Sequence, residues 1–388
     1  MDQFQKNVLD LHKRNIGKLE IKSNVNISNQ NDLSMAYTPG VALPCAEIKN
    51  DPKKAYDYTI KGKTVAIVTD GSAVLGLGNI GPKASLPVME GKSVLLNQFS
   101  GIQAYPLALD TQDPDTIIQT IKLLAPNFSA IMLEDIKAPE CVYIEERLQK
   151  ELDIPVFHDD QHGTAIVVSA ALINALKLVN KDIKDIKVCI SGLGAAGSAI
   201  IRLLHKLGVK EIYGYDIQGV VREEIYKHYN PVVKSLIDQD ILKYHHKNDL
   251  KDLLKNKDVF IGVSAKNILT EAMVKNMNKD AIIFAMANPD PEIVPDSAKK
   301  AGARIIGTGR SDYPNQINNV LVFPGLMKAV LESRIKTITD DIKVTTAKAI
   351  ASLVKDNEIN EEHILPNIFD KSVVETIVSS IKETIKKG

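Results

Sequence analysis

At 388 residues, with 25% charged and 44% hydrophobic side chains, the chain has ordinary globular composition and length for two or three domains. A peptide hormone, a disulfide miniprotein and a disordered chain are thereby excluded. Its 48 basic residues balance 48 acidic ones, so no nucleic-acid partner is expected, since one would require a basic excess. Only seven of the basic residues are arginine, which makes bidentate carboxylate clamps scarce. Cys45, Cys141 and Cys189 are far apart and form no CxxC pair, which disfavours a disulfide framework or thiolate zinc site and suits a reducing cytoplasm.

The N-terminal MDQFQKNVLDLHKRN is charged and amphipathic, without the apolar segment of a signal peptide. The longest mostly apolar run, Gly163 to Leu176, has 14 residues, short of the ~20 that span a bilayer, so no membrane association is expected. Short β-branched runs alternate with helical patterns, the signature of an α/β protein. Strands are predicted at 64–70, 102–110, 128–135 and 154–160, and each ends in acid. In a parallel sheet such ends share one edge, so Asp70, Asp110, Glu134, Asp135, Asp159 and Asp160 would converge there. Asp70 and Asp110 read more simply as helix caps. A second block follows, with strands at 187–191, 211–216, 258–263, 281–287 and 304–309, then helices around 340–355 and 370–386. The expected architecture is a two-domain α/β chain: an N-terminal substrate and metal domain (1–160) and a Rossmann-type dinucleotide domain with C-terminal helices (161–388).

GxGxxG occurs twice. Gly192-Leu-Gly194-Ala195-Ala196-Gly197 follows a predicted strand, opens an amphipathic helix, and precedes a strand ending in Asp216, 19 residues beyond the last glycine. That is a complete dinucleotide fingerprint, with Asp216 placed to accept from ribose hydroxyls. No cation follows Asp216 before Arg222, which favours NAD over NADP. The other loop, Gly76 to Gly81, is followed by Pro82 and Pro87 rather than a clean helix start, and is not read as a nucleotide site. Its glycines imply a backbone passing close to another element or a ligand. The doublets Glu134-Asp135 and Asp159-Asp160 would repel in one crevice unless a cation joined them, and oxygen donors favour Mg²⁺ or Mn²⁺; alternatively one doublet is solvated loop. His158-Asp-Asp-Gln-His162 imitates a zinc-protease motif but straddles a strand end, so both histidines are read as local hydrogen-bonding residues.

SMAYTPGV around Tyr37, TDGSAVLGLGNIGP, MEGKS around Lys92, LEDI, HDDQHGTA, ISGLGAAG, ANPDPE around Asn288 and TGRSDYPNQINNVLVFPG resemble, in order, the malic enzymes of the short bacterial type. The resemblance implies oxidative decarboxylation of malate to pyruvate and CO₂ with NAD (NADP being possible) and Mg²⁺ or Mn²⁺, in a cytoplasmic homodimer. Position by position it places metal ligands on Glu134, Asp135 and Asp160, the general acid on Tyr37, the general base on Lys92, and a neighbouring carboxylate on Asp159. It places substrate contacts on Lys92, Tyr37, Asn288 and Asn318, and cofactor contacts on Thr164, Gly192, Gly194, Ala195, Ala196, Gly197, Asp216, Ser264 and Asn288. Larger relatives carry an arginine for a substrate carboxylate where this chain has Val74, so that recognition falls to the metal, Asn288, Asn318 or a residue of another subunit, with Arg310 a candidate replacement. Two rivals remain: a malolactic-type enzyme that keeps its NAD and releases lactate, and a catalytically silent dinucleotide-binding regulator.

Overall fold

The computed structural model describes residues 1–74 and 76–387; Leu75, within the TDGSAVLGLGNIGP motif, and Gly388 lie outside the described residues. Two sheets organise the chain. The first is wholly parallel, in the order β2-β1-β3-β4, built from β1 (Thr64–Thr69), β2 (Gln103–Ala108), β3 (Ala130–Leu133) and β4 (Val156–His158). The chain adds β2 on one side of β1 and β3 on the other, so the strand order reverses between β1 and β3. A crevice opens beyond the carboxyl ends at such a reversal. The loops after β1, β3 and β4 therefore meet, as the acid-terminated strands suggested.

The second sheet has the order β10-β9-β8-β5-β6-β7. Its strands are β5 (Lys187–Ser191), β6 (Glu211–Asp216), β7 (Gly219–Val220), β8 (Val259–Gly262), β9 (Ile282–Ala285) and β10 (Ile305–Thr308). All pair in parallel except β7, a two-residue antiparallel edge too short for its pattern to be read in the sequence. The reversal here lies between β5 and β8, directly above the Gly192–Gly197 loop.

Between the sheets runs the helix Thr164–Val179, whose sequence TAIVVSAALINALKLV is apolar all round and is accordingly buried on most faces. The π-helical turn Asp159–Gly163 continues into it. Together they make a 21-residue apolar helix long enough to cross a membrane, longer than the 14-residue run read from the sequence. Its place is the core: one hydrophobic cluster joins Val65, Ile67 and Met132 of the first sheet to Val188, Ile190 and Val259 of the second through Ile166, Val168 and Leu172.

Three readings of local structure are corrected. Pro82 and Pro87 do not prevent a helix: Gly81–Ser100 is helical, with Pro82 in the first turn, where its missing N–H has no intrahelical partner to lose. The cap of the next helix, Pro114–Leu124, is Asp113, which accepts from Thr116 N–H, and Asp110 is exposed strand-end loop. Asp70 caps no helix, and its Oδ1 accepts from Ser72 N–H to hold the turn after β1. A helix at Phe323–Ser333, absent from the sequence reading, packs against both Gly81–Ser100 and the final helix Ser372–Lys387. The chain's end thus returns to wall the first sheet's crevice.

Candidate active site

Lys92 projects from the Gly81–Ser100 helix and is 9% exposed. Its Nζ lies 2.6 Å from Glu134 Oε2, contacts Asp159 Oδ2, and sits 5.0 Å from the centre of the Phe323 ring. Burial opposes the ammonium charge, but Asp159, Glu134 and Asp160 outweigh it and raise the Lys92 pKa. Glu134 is itself raised well above the usual carboxyl range, first by burial and then by the charge of Asp160; burial raises Asp159 too. One ammonium among four carboxylates leaves this pocket with excess negative charge.

Glu134, Asp135 and Asp160 each place a carboxylate oxygen so that all three lie within 4.8 Å of one another. Asp135 N–H donates to Asp160 Oδ2 at 2.8 Å, which ties the loop after β3 to the turn after β4. Asp135 has φ +54°, a left-handed backbone rare for a non-glycine residue and the kind of strain that gathers at functional sites. Three hard oxygen donors converging in one acidic pocket fit a divalent ion of the Mg²⁺ or Mn²⁺ type.

A cleft of about 640 Å³ adjoins this cluster and runs to the second sheet. Asp160, Thr164, Asn288 and Asn318 line it, and so do Gly194, Ala195, Ala196 and Ser264 from the dinucleotide side. Gly192 and Gly197 shape the turn from behind: a Cβ on Gly197 would lie 1.8 Å from Gly192 O, so only glycine allows this approach. Asp216 ends β6 away from the lining and accepts from Gln218 N–H at 2.8 Å. Gly76 and Gly78 of the first glycine loop also line the cleft, both with positive φ; this is the close approach their spacing implied.

Tyr37 is not brought to this cluster within the chain. It caps the helix Gln30–Ala36, is 66% exposed, and is not among the cleft's lining residues. Arg310 is also elsewhere engaged: its guanidinium makes a two-point pair with Asp312, at 2.8 and 2.7 Å, and donates to Pro289 O.

Two residues escaped the sequence reading. Asn319 Nδ2 donates at 2.6 Å to Asp159 Oδ2, the oxygen that Lys92 contacts; the Asn318-Asn319 doublet was its only signal. Glu145, 4% exposed, accepts from His158 N–H, Gln161 Nε2 and the His162 ring, and so braces the turn that carries Asp159 and Asp160. Its signal was an acid on the apolar face formed by Cys141, Ile144 and Leu148. Burial alone would raise the Glu145 pKa, but the neighbouring His162 and His158 rings hold it below the usual value. Glu145 therefore stabilises the fold fully above the unfolded carboxyl value of ~4.3, and that contribution is lost as the pH falls through the lower, folded value. Glu145→Ala strands three donors, two of them buried. It should cost about 1–3 kcal/mol in thermal unfolding and weaken Mn²⁺ binding, followed by electron paramagnetic resonance, about 10- to 100-fold. Unchanged Mn²⁺ affinity would reduce Glu145 to a packing residue.

Comparison with known proteins bears on this site. A family model for the malic enzyme N-terminal domain matches residues 16–149, and one for the malic enzyme NAD binding domain matches residues 161–385. The chain belongs to the malic enzyme family. It is 53% identical over 382 residues to the bifunctional malic/malolactic enzyme of Bacillus subtilis (strain 168), covering 97% of this chain and 92% of that one. It is 51% identical over 369 residues to the NAD-dependent malic enzyme of Geobacillus stearothermophilus, covering 95% and 76%. The crystal structure of malic enzyme from Pyrococcus horikoshii OT3 superposes with a TM-score of 0.93 at 45% identity, covering 100% of this chain and 92% of that one. That of the NAD-dependent malic enzyme of Thermotoga maritima gives 0.92 at 43%, covering 98% and 99%. Malic enzymes are decarboxylating malate dehydrogenases, and the chain is an oxidoreductase of this family with a nicotinamide-dinucleotide domain.

Proposed function

We propose that the chain oxidises (S)-malate with NAD⁺ and decarboxylates it to pyruvate and CO₂, with Glu134, Asp135 and Asp160 holding Mg²⁺ or Mn²⁺. The observation that carries this is Lys92, buried against Glu134 and Asp159, where Asp160, the next residue, lines the cleft that also holds the Gly194–Ala196 turn. The dication supplies Lewis-acid polarisation of the substrate oxygens when bound.

Lys92 must be neutral to take the C2 hydroxyl proton. Asp159, raised by burial and in contact with Nζ, is placed to accept the ammonium proton. Asn319 holds the Asp159 oxygen in place for that transfer. Asn288 and Asn318 line the cleft and would offer hydrogen bonds to substrate. Residues 1–160 would supply the chemistry and 161–388 the cofactor, with the Phe323–Ser333 helix crossing back.

Tyr37 would protonate C3 of the enolate from a second copy of the chain. Its helix and its neighbours Gln3–Asn15 and Ala42–Asn50 have no buried residue, while Phe4, Ile16, Ile21, Val25, Met35 and Leu43 stand exposed. An apolar surface on that scale calls for a partner, and a twofold dimer is the commonest solution. The cytoplasm suits an NAD-linked enzyme with free Cys45, Cys141 and Cys189.

With malate, NAD⁺ and Mn²⁺, the purified chain should form NADH and pyruvate in equal amounts, with kcat/KM higher for NAD⁺ than for NADP⁺ and no turnover in excess chelator. Absence of turnover with either cofactor would sink the proposal. The malolactic reading, favoured by the name of the Bacillus subtilis relative, predicts lactate without accumulating NADH.

A further inference from the structure

Malate carries two carboxylates, and the metal cluster accounts for only one end of it. Val74 is buried and apolar where larger relatives carry arginine, and Arg310 is saturated by Asp312 and Pro289 O. Among the described residues lining the cleft there is one cation, Lys137.

Lys137 lies two residues beyond Asp135, on the loop leaving β3. Its N–H donates to Ser72 Oγ at 2.9 Å, and Ala73 N–H donates to Asp135 O at 2.9 Å. These bonds strap the lysine's backbone to the loop that bears Val74, so it stands beside the position the arginine would occupy. The side chain is 44% exposed, and its ion-pair partner, Glu140 Oε1, is 3.7 Å away, beyond hydrogen-bond range. Such an exposed, loose pair holds an ammonium weakly and leaves its donors available to a ligand. A cleft that must seat a dicarboxylate and a pyrophosphate has strong need of that charge.

We infer that Lys137 is the specificity-determining cation of the cleft, binding the carboxylate of malate remote from the C2 hydroxyl, the one that leaves as CO₂. This rests on the malic enzyme reading above. A flexible point charge suits that role, because a group about to depart should be positioned without being gripped in the ground state more tightly than in the transition state. Lysine does this with three rotatable donors where arginine would clamp with a fixed fork.

The test compares ligands with and without that carboxylate. In Lys137→Ala, KM for malate should rise about 10- to 100-fold with kcat changed less than about threefold. The inhibition constant of L-lactate, which has the C1 carboxylate and C2 hydroxyl but a methyl group in place of the second carboxylate arm, should stay within about twofold, as should KM for NAD⁺. Lys137→Arg should recover most of the malate affinity, which shows that the position tolerates a side chain of that length. Unchanged KM for malate in Lys137→Ala overturns the inference, and so does a parallel rise for lactate or NAD⁺, which would assign the lysine to the metal end or to the cofactor's phosphates. Failure of the wild-type chain to turn over malate would instead sink the underlying reading, so the two failures are distinct.

Discussion

Lys92→Ala should lower kcat/KM for malate by about 10²- to 10⁴-fold, the span for loss of a positioned general base. Metal binding separates this from general damage. Lys92 Nζ lies 2.6 Å from Glu134 Oε2 and contacts Asp159, so its ammonium competes with a dication for Glu134. Removing it should leave Mn²⁺ affinity equal or tighter while activity collapses. In chelator, the variant should melt below wild type, because buried carboxylates lose their cation, a change that costs about 3–5 kcal/mol when one partner of a buried pair is removed. Added Mn²⁺ should restore much of that loss. Kinetics, Mn²⁺ titration and calorimetry read the three effects, and a rate loss under tenfold would remove Lys92 from the proton-transfer step.

Mixing two inactive variants should restore activity. Tyr37→Phe lacks the proposed acid and Lys92→Ala the base. If Tyr37 reaches the Lys92 of a partner subunit, a mixed dimer carries one doubly impaired site and one intact site. Random reassociation of equal amounts makes half the dimers mixed, so roughly a quarter of wild-type activity should return. Each variant alone, taken through the same dissociation and reassociation, should stay inactive. No recovery, with mixed dimers demonstrated by mass spectrometry, would place Tyr37 and Lys92 in the same chain and require the N-terminal segment to fold back. The 66% exposure of Tyr37 argues for the partner.

The sheet strands other than β7 could be read in the sequence, because β-branched runs bounded by turn residues are a local signal. The same is true of the dinucleotide loop. Gly192 to Gly197 and Asp216 carry a fingerprint whose spacing reports one strand–turn–helix–strand unit. The acid doublets pointed to a cation site through charge, with a solvated loop as the alternative, since carboxylates at strand ends converge in a parallel sheet.

Other features needed the third dimension. Lys92 and Asp159 are 67 residues apart and Asp159 and Asn319 are 160 apart, and no local pattern encodes either contact. Glu145 looked like one more charge on a helix until its face proved buried. Arg310 was the candidate carboxylate ligand read from the sequence, where nothing singled out Lys137. Tertiary structure moves the choice, because Asp312 occupies the arginine while Lys137 lines the cleft. Composition, the positions of the strands along the chain and the chemical kinds of the site residues were thus legible in the sequence, being consequences of nearest-neighbour sterics and charge. Which charges meet, and which are already spent on each other, was decided by packing, because that depends on distances the chain acquires only when both sheets close on the Thr164–Val179 helix.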